Sequence, residues 1–168
     1  GPGAGSAHDT PACPGAVGMR PVKRSLIVAG VLVAAVAVGG FLLLRSASNA
    51  ADLRTGGAIY LAQCASCHGA DLEGQPNWQT PLPDGRMPAP PHDQSGHTWH
   101  HTDADLVTIV KYGMSGLLPG YSSTMPGYAG VLTDREVELV LSFIKSNWPL
   151  REQEYQRART RERASAQP

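Results

Sequence analysis

The longest apolar run in the chain is Ser25 to Leu44, twenty residues of Gly, Ala, Val, Leu, Ile, Phe and Ser without a charge. At 1.5 Å rise per residue this run spans ~30 Å as a helix, about one bilayer core. It predicts a transmembrane anchor over 25–44 or, alternatively, the core of a cleavable export signal, with Ser48-Asn49-Ala50 as a passable cleavage site. Both readings give one topology. Arg20, Lys23 and Arg24 precede the run and Arg45 follows it, so the N-terminus stays inside and residue 51 onward is exported.

Beyond a linker over 45–51, the pattern changes to short amphipathic stretches separated by Gly/Pro-rich loops. Asp52 is a candidate cap for a helix to about Gln63, with Leu53, Ile59 and Tyr60 on its apolar side. Residues 69–101 lack periodicity and predict a long loop, of the kind that wraps a ligand or serves a function. Thr102 with Asp105 opens a second helix, which carries Leu106, Ile109 and Val110 and stops at Gly113. A second loop covers 114–132. Thr133 with Glu136 then caps a last helix carrying Val137, Val140, Leu141, Ile144 and Trp148, and Pro149 ends it. The expectation is an all-α fold of three to four short helices. Helices this short bury little apolar area by themselves, so a large apolar group is needed to complete their core.

Composition narrows the functional classes. Fourteen basic and fourteen acidic residues cancel, which argues against a nucleic-acid binder held by bulk charge. The balance is uneven: residues 51–148 hold five bases against ten acids, whereas 149–168 hold five arginines against three glutamates. That tail reads as a solvated charged helix or coil. Residues 1–18 are small and polar in texture and read as a disordered extension. Met19 opens a basic stretch, 19–24, that resembles the start of an export signal and is a candidate initiator. Three cysteines are too few for a disulfide scaffold. Cys13 precedes the apolar run and reads as a plain exposed thiol.

The other two cysteines lie in Cys64-Ala65-Ser66-Cys67-His68, the C-x-x-C-H pattern of covalent haem c attachment. Residues i and i+3 share a helical face, so both thiols can reach the vinyl groups of one porphyrin. The following imidazole then approaches the iron from the proximal side. A zinc site would need a second Cys/His pair, and no cysteine follows Cys67; a thioredoxin-like dithiol would need βαβ patterning.

With this motif the chain resembles the class I c-type cytochromes, small single-haem electron carriers, over residues 52–148. Gly56, Tyr60, Cys64, Cys67, His68 and Gly69 match the family's N-terminal helix, whose glycine and aromatic pack on the C-terminal helix; Val140 and Phe143 would be the partners here. The resemblance implies one haem c held by Cys64 and Cys67 and an iron ligated by His68 and a methionine from the loop before the last helix. Met125 fits that position, with Met114 the alternative, while Met87 lies in the first loop. It also implies a carbonyl partner for His68 from within Pro88-Ala89-Pro90-Pro91. Trp78 is expected to cover the haem edge. His92, His97, His100 and His101, with Trp99 among them, suggest either a second metal site or contacts to haem propionates and to the next helix.

The implied function is single-electron transfer between respiratory redox proteins, with no catalytic residue of its own. The protein is expected at the bacterial cell membrane, tethered through 25–44 with its haem domain on the periplasmic side, or free in the periplasm if the segment is cleaved. Two other readings stay open: a haem enzyme or gas sensor with a labile sixth ligand, and a cytochrome subunit of a larger oxidoreductase.

Overall fold

A computed structural model describes residues 21–166, with side chains from residue 27 onward. The readings of residues 1–18, Cys13, Met19 and Arg20 lie outside these residues. The chain divides into two compact units, with the boundary between Leu44 and Arg45. Every regular element among the described residues is helical, which makes the protein all-α.

Helix α1 covers Pro21–Gln63. Its apolar side chains from Ile27 to Leu44 are exposed, and its length and composition suit a membrane crossing. Residues 45–51, expected to be a linker, are helical. The reason is local: Arg45-Ser-Ala-Ser-Asn-Ala-Ala contains neither Gly nor Pro, so nothing interrupts a helix already nucleated on both sides. Asp52 is therefore an interior residue and not a cap. Its carboxylate pairs with Arg135 at 2.7 Å.

In the second unit the end of α1 packs on α5, Asp134–Ser146. Gly56 makes this possible. A Cβ built there would run into the Leu139 carbonyl and stand 3.0 Å from the Phe143 Cβ. One turn on, the Tyr60 ring meets Phe143 with centroids 5.5 Å apart. Phe143 is thus the partner expected, while Leu139 supplies the backbone opposite Gly56 and Val140 lies in the core cluster beside it. Tyr60, Leu72, Leu106, Leu132, Val137, Val140, Leu141, Ile144 and Trp148 form that cluster.

Both capping boxes are present. Thr102 and Asp105 open α3, Asp103–Tyr112, and Thr133 and Glu136 open α5. Each box satisfies two amides that a helix start leaves without partners. Loop 69–101 is irregular until a 3-10 turn at Thr98–His100. Loop 114–132 contains a single helical turn, α4, Met114–Leu117. Helix α5 ends at Ser146, and Trp148 lies beyond it with its indole N–H donating to the His92 carbonyl at 2.7 Å.

The charged tail departs from expectation. Residues Leu150–Ser165 form helix α6, with Pro149 at its N-cap. Glu152 and Gln156 on its inner face are buried, so this segment packs into the domain instead of being solvated all round. Gly56→Ala should force α1 away from α5 and destabilise the domain by about 1–3 kcal/mol, the usual range for overpacking. A denaturant melt of the haem-loaded protein against wild type checks this, with an unchanged midpoint refuting the close contact.

Candidate functional site

Beyond Gln63 the chain turns once at Cys64 and continues as α2, Ala65–His68. The amides of Cys67 and His68 both donate to the Cys64 carbonyl, at 3.1 and 2.9 Å. This turn places Cys64, Cys67 and His68 along one wall of a cavity of about 390 Å³. Tyr60, fully buried, holds the turn from below, its hydroxyl donating to the Gly69 carbonyl at 2.9 Å.

The His68 ring is fixed on one side. Its Nδ1 lies 2.8 Å from the Pro90 carbonyl oxygen. A carbonyl accepts only, so Nδ1 carries the proton and Nε2 keeps its lone pair for a metal. Pro90 is thus the acceptor within the 88–91 stretch. It is presented because the Pro90–Pro91 backbone passes hard against Gly74, where a Cβ would lie 2.7 Å from the Pro90 carbonyl carbon, at φ +68°. Burial lowers the His68 pKa, against a smaller raising effect of the Pro90 hydrogen bond. Both nitrogens are therefore set for a neutral ligand at physiological pH.

Beside His68, and also on the cavity wall, lies His92. The His92 ring stacks on His68 with centroids 4.0 Å apart, and its Nδ1 is 2.8 Å from Thr98 Oγ1. Burial first, then His68 and His97, hold its pKa well below the ordinary histidine value. A neutral ring there is a packing surface for His68.

Opposite, the loop bearing Met125 is tied to the end of α3. Tyr128 N–H donates to the Val110 carbonyl at 3.0 Å and Ala129 N–H to the Lys111 carbonyl at 2.9 Å. Helix ends leave such carbonyls without partners, so the loop and the helix terminus complete each other. The Tyr128 hydroxyl donates to the Gln63 carbonyl at 2.5 Å, joining this loop to the end of α1. Met125, Met114 and Met87 all border the cavity.

The histidine-rich segment divides. His92, His97 and His101 border the cavity while His100 does not, and Trp78, also on its wall, stacks on His97 at 5.4 Å. Trp99 donates its indole N–H to the Gly96 carbonyl at 3.1 Å. Among the described residues no three His, Cys, Asp or Glu side chains converge as a metal-ion cage.

Burial, and secondarily Cys67, raises the Cys64 thiol to about 11. Burial also raises the Tyr60 phenol, with smaller contributions from Cys64 and Glu73. The cysteine contribution disappears once the sulfur is a thioether. The donor set fits a haem: two thiols one helical turn apart, one imidazole with a free nitrogen, thioether sulfurs in the facing loops, and apolar walls from Leu106, Ile109, Val140 and Ile144.

An all-helical domain with this wall defines a class I c-type cytochrome. The family model for cytochrome c oxidase, cbb3-type, subunit III matches residues 51–144, and the chain belongs to that family. It is similar to the gluconate 2-dehydrogenase cytochrome c subunit of Pantoea cypripedii, 30% identical over 102 residues, which are 58% of this chain and 21% of that protein. It is also similar to the cbb3-type cytochrome c oxidase subunit CcoP of Rhodobacter capsulatus, 29% identical over 94 residues, 54% of this chain and 28% of that subunit. The match therefore covers under a third of either relative. No solved structure matches.

Tyr60→Phe should cost about 1–3 kcal/mol, because it leaves a half-buried carbonyl at the motif without its donor. Thermal melts of the haem-loaded variant read the loss, and an unchanged stability would show the hydroxyl to be idle.

Proposed function

We propose that the protein is a membrane-anchored carrier of single electrons, in which Cys64 and Cys67 would hold one haem c covalently and His68 and Met125 would ligate its iron. The observation that carries this reading is the convergence of Cys64, Cys67 and His68 on one cavity wall, with His68 Nδ1 committed to the Pro90 carbonyl. Addition of each thiol across one vinyl group, with its hydrogen passing to the vinyl carbon, would need no oxidant. His68 presents Nε2, and Pro90 and His92 keep its ring from rotating. Met125 is preferred over Met114 and Met87 because its loop is bonded to α3 through Tyr128 and Ala129, and its own amide donates to Ser123 Oγ at 3.0 Å. A histidine–methionine pair gives the bound iron a high-potential one-electron couple. Apolar walls favour the less charged ferrous state in the same direction.

The chain contains one C-x-x-C-H motif, and one haem follows. The relatives are subunits of a gluconate dehydrogenase and of an oxidase; redox proteins of a respiratory chain are the proposed donor and acceptor. Residues 25–44 are the proposed tether, and the bases before them favour a haem domain on the periplasmic side. We assign the protein no substrate turnover.

Cys64→Ala with Cys67→Ala should abolish haem staining of the denatured protein, which wild type should retain; haem extracted freely from wild type by acid-acetone would overturn the reading. Met125→His should preserve a low-spin six-coordinate spectrum and lower the potential, since imidazole favours ferric iron more than a thioether does. If Met114→Leu, and not Met125→Leu, abolishes the low-spin spectrum, the sixth ligand is in the other loop.

A further inference from the structure

Helix α6 lies beyond the family-matched residues 51–144 and has no part in the reading above. It nevertheless carries the most deeply buried polar side chain of the domain. Gln156 is 2% exposed, and its amide nitrogen donates to Asp103 Oδ1 at 2.5 Å, to Thr160 Oγ1 at 3.1 Å and to the His101 carbonyl at 3.3 Å. Thr160 Oγ1 in turn accepts from the Asp103 amide at 3.1 Å, and Lys145 of α5 pairs with the same Asp103 oxygen. Three elements therefore meet at one point: α6, α5 and the start of α3.

Gln156 reaches from there to the carbonyl of His101, a residue that borders the cavity, while Thr160 and Lys145 hold Asp103 two positions on. His101 leads directly into the Thr102 capping box, so its carbonyl and the first turn of α3 are held together. Tyr155 on the next position of α6 packs edge-on against Trp99 at 5.3 Å, bracing the preceding 3-10 turn. A buried amide with several partners has a large cost if one is lost, because the others then face desolvation unpaired. Such a network serves to fix one geometry.

We infer that α6 is a positioning clamp, acting through Gln156 and Thr160, that holds His101 at the haem cavity so that its charge acts on the iron. This rests on the haem reading above. The groups facing His101 are His97, with ring centroids 5.6 Å away, His100, Asp105 of α3 and Arg159 of α6. Protonated His101 adds positive charge beside the cavity and favours ferrous iron. Raising the pH removes that charge, and the potential falls across the histidine range between about pH 5 and 8. Burial moves the transition toward the acid side of the ordinary histidine value, with Asp105 opposing it. The acidic limb therefore carries most of the effect.

The experiment is equilibrium redox titration of the full-length, haem-loaded protein at a series of pH values. The variants are His101→Asn, Gln156→Leu, Thr160→Val and the double variant H101N/Q156L, with Arg161→Gln on the outer face of α6 as control. The expected result is that His101→Asn removes about half or more of the acidic-limb pH dependence. Gln156→Leu and Thr160→Val should reduce it in the same sense, and Gln156→Leu should add nothing once His101 is gone. Arg161→Gln should leave the profile as in wild type. If Gln156→Leu and Thr160→Val lower the melting temperature but keep the wild-type profile, α6 is structural only and the inference fails. An unchanged profile in His101→Asn also overturns it, with haem stain and low-spin spectrum intact. Loss of covalent haem from wild type itself would instead sink the parent reading. Thr160→Val deletes only the hydroxyl and keeps the test open should Gln156→Leu misfold.

Discussion

The arrangement of the haem domain depends on a backbone-to-backbone approach, the crossing of α1 on α5 at Gly56. Because no side chain separates the helices there, Tyr60 can be sealed completely one turn later. The sealed Tyr60 hydroxyl then fixes the carbonyl of Gly69. Cys64, Cys67 and His68 all lie between those two residues. A wider crossing would leave Tyr60 solvated and release the turn that aims Cys64, Cys67 and His68 at one cavity.

The opposite wall follows from a different economy of hydrogen bonds. Helix α3 ends at Gly113, and its last carbonyls are satisfied by amides from the 128–129 segment. Satisfying a helix terminus and holding the Met125 loop are thus one set of bonds. Proline does comparable work at 88–91, where the chain is stiff and its carbonyls are not used in any helix. Gly74 lets that stiff stretch come close enough for Pro90 to reach His68.

Much of this was legible in the residues. The capping boxes at Thr102/Asp105 and Thr133/Glu136 were readable because both partners of each bond lie within four positions. Gly56, Tyr60 and Phe143 were readable through their likeness to a known helix pair. Three features were not. Residues 45–51 looked like a linker because small polar residues have weak preferences, and the helical neighbours decide. Pro90 could not be singled out from its proline neighbours without knowing where Gly74 sits. Helix α6 looked solvated because charges dominate its composition. Its inner face is signalled only by uncharged Gln156 and Thr160 four positions apart, a pattern that gains meaning once Asp103 is seen opposite.

Burial of Cys64 bears on the order of events during maturation. With its thiol raised to about 11 by burial, Cys64 holds little of the reactive thiolate at neutral pH once the domain has closed. Thiol–disulfide exchange runs through the thiolate, so Cys64 is a slow nucleophile toward oxidants in the closed chain. The extended chain, with ordinary thiols, reacts far faster. Closure of α1 on α5 thus sets an order: the Cys64 thiol is open to reaction before the domain closes and shielded afterwards.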